Sequence, residues 1–174
     1  MKNMIKINCL HTTTHNNEST PIAMRPLLLL LHLAGIIIWV GGMYFAHFCL
    51  RPVATEQLQP AQRLPLMTAV LGRFFPAVAI AIIAILISGV GLMLIPGFAR
   101  APIYWHAMMG IGLLMTAIFG VIYLVHFRAL KAAVATQAWP TAGAAMNRIR
   151  PLVATNLLLG GLTVVVATLG PLLG

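Results

Sequence analysis

The sequence predicts an all-α protein, a bundle of four transmembrane helices. Hydrophobic residues make up 60% of the 174, charged residues only 7%, and the mean hydropathy is +0.96. A water-soluble domain typically carries about 25% charged residues, so these few charges cannot coat a surface in water. Four apolar runs are each long enough to cross ~30 Å of hydrocarbon, which takes about 20 residues. None of the four contains Asp, Glu, Lys or Arg. Lipid cannot satisfy open backbone groups, so such runs are helices. A β-barrel would show short alternating segments instead.

Taken in order, residues 1–24 form a polar tail rich in Asn, Thr and His, followed by a membrane domain over residues 25–174. The tail lacks the apolar stretch of a signal peptide and the hydrophobicity to offset the entropy of ordering, so disorder is expected there. The first span, about residues 27–50, opens after Arg25-Pro26. A connector beginning at Arg51 is polar at first and then apolar. It reads as a loop leading into a helical stretch, broken by Pro60 and Pro65. The second span, about residues 74–96, lies between Arg73 and Gly97. A short turn leads to the third, about residues 103–127, which ends at Arg128. An Ala-rich connector continues that helix for a turn or two before Pro140. The fourth span, about residues 152–173, follows Arg148 and Arg150. Small residues every four positions mark expected helix seams: Gly42 and Ala46 on the first span, and Gly112, Thr116 and Gly120 on the third.

Charge placement sets the expected orientation. Lys2, Lys6, Arg25 and Arg100 fall on one side; Arg51, Arg63, Arg73, Arg128, Lys131, Arg148 and Arg150 fall on the other. The richer side is expected in the cytoplasm, so both termini are expected outside a bacterial inner (plasma) membrane. The formal net charge of +9 does not indicate nucleic acid, because the basic residues flank apolar runs instead of forming a patch with aromatics. Two acids, Glu18 and Glu56, give no carboxylate pair for hydrolysis, and Cys9 and Cys49 form no CxxC. With no nucleophile–base constellation, phosphate loop or zinc motif, a non-enzymatic role is favoured over an enzymatic one. Membrane lipid is the expected surrounding, with a second copy of the chain or another membrane subunit as candidate partners.

The candidate functional residues are histidines within the spans, since an ionisable group in the bilayer is costly unless it has a task. His32 and His106 fall near the outer ends of their spans, His47 and His126 near the inner ends. At ~100° per residue, Trp39, Met43 and His47 fall about −20°, +20° and +60° from His32, on one stripe of the first helix. His32 and His106 are expected to meet across the bundle, whereas His126 points away from the face of His106. Two histidines on facing helices suit a membrane haem b, with Trp39 beside them. Imidazole and thioether suit copper, with His32, His106, His47, Met43 and Met109 as candidate ligands. Copper and haem b both remain open as cofactors. Asn156 is the most notable other polar group, as an amide in lipid seeks a partner within the bundle.

At these residues the chain resembles a known family. The stretch His32-Leu-Ala-Gly-Ile-Ile-Ile-Trp39-Val-Gly-Gly-Met43 is similar to the opening helix of the copper-resistance protein D (CopD) family. Arg73-Phe-Phe, then Ile87-Ser-Gly-Val-Gly-Leu-Met93, is similar to its second helix, and Trp105-His106 to the start of its third. The resemblance spans about residues 26–174 and implies a four-helix inner-membrane protein handling copper. A more distant similarity, to the haem-containing bacterial protoporphyrinogen oxidases, implies a bound haem. That family carries a lysine shortly after the later histidine. Met108, Met109 and Gly110 stand there in this chain, which speaks against the oxidase activity.

Overall fold

The computed structural model describes residues 19–172; the polar tail expected over residues 1–24 lies outside them as far as residue 18. Four long helices make up the fold: α1 (Met24–Gln57), α2 (Pro60–Leu94), α3 (Ile103–Ala135) and α4 (Trp139–Leu172). Helix α1 is continuous with a preceding turn that begins at Ser19. Each helix contains a stretch apolar enough to cross a membrane and has 33 to 35 residues. At 1.5 Å per residue each is about 50 Å long, well beyond ~30 Å of hydrocarbon. The outward faces are apolar as lipid requires: Ile37, Ile80 and Leu158 are 71%, 70% and 76% exposed.

The helices overrun the apolar runs chiefly at the basic end, where the sequence suggested loops and breaks. Helix α1 continues to Gln57, and only Leu58 and Gln59 are extended before α2 begins at Pro60. Gln59 precedes a proline, which disfavours a helical backbone there. Pro60 takes the first turn of α2, where its missing N–H costs nothing. Pro65 and Pro76 lie inside α2 and Pro151 inside α4 without ending either helix; side-chain hydroxyls and neighbouring helices re-satisfy freed backbone groups in membrane bundles. At the opposite end the turn into α3 pivots on Gly97, whose φ of 88° is open to glycine and strained for other residues.

Helices α1 and α2 pack as one antiparallel hairpin and α3 and α4 as another, leaving α1 and α3 on a diagonal. Close approach in the first hairpin rests on glycine. A Cβ on Gly35 would lie 2.6 Å from Ile85 Cγ1 and 3.0 Å from the Ala81 carbonyl. Gly42 faces the Phe74 ring with no room for a side chain, so that half of the expected α1 seam is real. The expected α3 seam is absent: added Cβ atoms on Gly112 and Gly120 would meet nothing within 4 Å. Thr116 instead donates to the Gly112 carbonyl of its own helix at 2.8 Å.

The core is an aromatic column. Phe75 of α2 meets Phe119, Tyr123 and Phe127 of α3 edge-on, at centroid distances of 5.7, 5.9 and 4.9 Å. Trp39 of α1 closes the column across the diagonal, 6.3 Å from Phe119.

Candidate functional site

Helix α1 departs from regular α geometry twice, in π turns over Ile37–Gly41 and Phe45–Leu50. A π turn accommodates an extra residue, so it re-aims the side chains beyond it, and such turns concentrate at functional sites. Met43 lies between the two, buried at 4% exposure. Trp39 lies in the first π turn and His47 in the second. All three line one partly open chamber between the helices. Across it stand Met67 of α2 and Met146, Ile149 and Asn156 of α4, with Phe75 and Phe119 from the aromatic column. The chamber has about 50 Å³ of room, enough for several waters or one ion at ~10–15 Å³ each.

Asn156 is fully buried in that wall. Its Nδ2 donates to the Met115 carbonyl of α3 at 3.1 Å, while its Oδ1 has no partner. A bare oxygen in a buried position costs about 1–3 kcal/mol, so it marks a place for water or a ligand.

Towards the basic end the chamber abuts a second, of about 180 Å³, and Arg51, Met67, Met146 and Arg150 border both. This outer chamber adds Thr55, Arg63 and Asn147.

The structure therefore gathers Met43, His47 and Trp39, and separates them from the other candidates. His32 turns onto α2, where Nδ1 donates to the Ile85 carbonyl at 3.1 Å and to Ser88 Oγ at 3.0 Å. The Ser88 hydroxyl in turn donates to the Ala84 carbonyl at 2.6 Å. The reason is local: Ser88 and Gly89 offer a polar, open patch on the nearest helix, and a Cβ on Gly89 would already lie 3.3 Å from His32 Cε1. His106 uses Nδ1 to donate to the Pro102 carbonyl at 3.2 Å and meets Phe98 edge-on at 5.1 Å. Since carbonyls only accept, Nδ1 is the donor in both bonds, and Nε2 of each ring stays outside them. Met109 is half-buried on α3, and neither it nor His126 lines either chamber. Among the described residues no three of His, Cys, Asp and Glu come together as a metal cluster. Met67, Met146 and Arg150 were missed as site residues. They sit in stretches read as connectors: the helical stretch expected around Met67 was not projected onto the bundle, and the one holding Met146 and Arg150 was not read as the start of a helix.

This arrangement defines a class: a four-helix integral membrane protein with a partly open chamber between its helices. The chain belongs to the copper resistance protein D (CopD) family, whose model matches residues 68–169. The match starts within α2, so His32, Trp39, Met43 and His47 on α1 precede it. No curated protein and no solved structure matches the chain.

Proposed function

We propose that this chain is a copper-handling protein of the bacterial inner membrane, and that it holds Cu(I) as cargo in the inner chamber. The observation that carries this reading is the donor set. Thioethers from three helices, Met43, Met67 and Met146, share one cavity with the His47 imidazole. Soft thioether and imidazole ligands select Cu(I), and no carboxylate or thiolate stands in the lining. Asn156 Oδ1 adds an unpartnered oxygen to the same wall. Membership of the copper resistance family supports the choice of metal. The charge asymmetry of the helix ends supports a basic end in the cytoplasm.

The test is Cu(I) titration of the detergent-purified protein against a chromophoric chelator. The expected result is one tightly held equivalent, weakened at least tenfold by Met43→Leu with His47→Gln and unchanged by His106→Gln. A protein that leaves all copper with the chelator, or a double variant that binds like the parent, rejects the reading. The b-type haem alternative rests on Nε2 of His32 and His106, the ring nitrogens left outside the Nδ1 bonds. A Soret band abolished by His32→Ala or His106→Ala would favour haem over copper.

A further inference from the structure

Seven basic residues crowd one end of the bundle, and they divide into two sets. Arg73, Arg128, Lys131 and Arg148 are exposed, as charged side chains at a membrane boundary normally are. Arg51, Arg63 and Arg150 are half-buried and line the outer chamber together. They come from three helices, α1, α2 and α4, so the convergence is made by the tertiary fold and not by one helix face. Arg51 lies within electrostatic reach of both Arg150 and Arg63. The single side-chain carboxylate among the described residues is Glu56, which is exposed and outside the chamber. Arg150 Nη1 donates to Asn147 side-chain Oδ1 at 3.2 Å, which leaves most of its fork free.

Three like charges around one cavity repel unless an anion joins them. Guanidinium forks match the paired oxygens of phosphate groups. We propose that the outer chamber is a binding site for a phosphate-type oxyanion, held by Arg51, Arg63 and Arg150. Arg51 and Arg150 directly flank apolar runs, and Arg63 joins them from the part of α2 that precedes its apolar run; headgroups are expected near that level, so the anion is either free phosphate or the phosphodiester of an anionic lipid. The proposal does not rest on the copper reading, although Arg51 and Arg150 also border the inner chamber.

The test has two arms on the whole detergent-purified chain. Inorganic phosphate is titrated calorimetrically at constant ionic strength. Separately, the melting temperature is compared in nanodiscs of phosphatidylcholine with and without phosphatidylglycerol. Saturable phosphate heat identifies the free ion, and stabilisation by phosphatidylglycerol alone identifies the lipid. In whichever arm responds, Arg63→Gln and Arg51→Gln weaken binding roughly tenfold or more, while Arg128→Gln leaves it unchanged. Relief of like-charge repulsion leaves the unliganded variants at least as heat-stable as the parent; if either fails to fold, Arg63→Lys, which keeps the charge and loses the fork, weakens binding in its place. No response in either arm overturns the proposal. So does a response that Arg128→Gln reduces as much as Arg63→Gln, or one that none of the Arg63 and Arg51 variants reduces.

Discussion

Asn156 is a side chain with one amide atom bonded and the other bare. An interhelical hydrogen bond within a membrane contributes about 0.6 kcal/mol on average, less than the ~1–3 kcal/mol cost of a buried unpaired oxygen. The two effects oppose each other, so Asn156→Leu is expected to lose less than about 1 kcal/mol, or to gain stability, in denaturation by increasing dodecyl sulfate. A loss above about 2 kcal/mol would show that Oδ1 is paired after all. The sequence made Asn156 legible because an amide in an apolar run stands out. The partner of His32 was not legible, because helical projection ranks faces of one helix and says nothing about which neighbour offers Ser88 and Gly89.

The helices were legible as four because hydropathy alone decides what can cross lipid. Their ends were not. Pro60 and Pro65 looked like breaks, yet one begins α2 and the other sits inside it, since proline interrupts a helix only where its missing hydrogen bond is needed. Seams were half legible, because small residues permit close packing without causing it. Gly35→Ala is expected to destabilise the α1–α2 hairpin by about 1–3 kcal/mol, the usual range for overpacking, as the Ala81 carbonyl cannot move aside without the helix. Gly112→Ala has open space around it and is expected to be neutral or to stabilise by up to about 1 kcal/mol, the helix-propensity difference. Melting temperatures of the two variants in one detergent check both, and the reverse order would place the packing seam on α3.

Over the whole molecule, the basic cluster and the chamber proposed for the metal occupy the same half of the bundle. The inner chamber leads towards the end carrying Arg51, Arg63 and Arg150, so a cargo leaving that way meets the positive side of the protein. The proposed orientation puts this end in the cytoplasm. Reporter fusions at Ala61 and Ala135 should both report cytoplasm, and two extracytoplasmic reports would invert the orientation. The copper reading itself turns on what surrounds the metal. X-ray absorption at the copper edge of the Cu(I)-loaded chain should find sulfur neighbours together with nitrogen, with the sulfur signal lost when Met43, Met67 and Met146 are all changed to Leu. A shell of nitrogen and oxygen alone, the same in parent and variant, would contradict it.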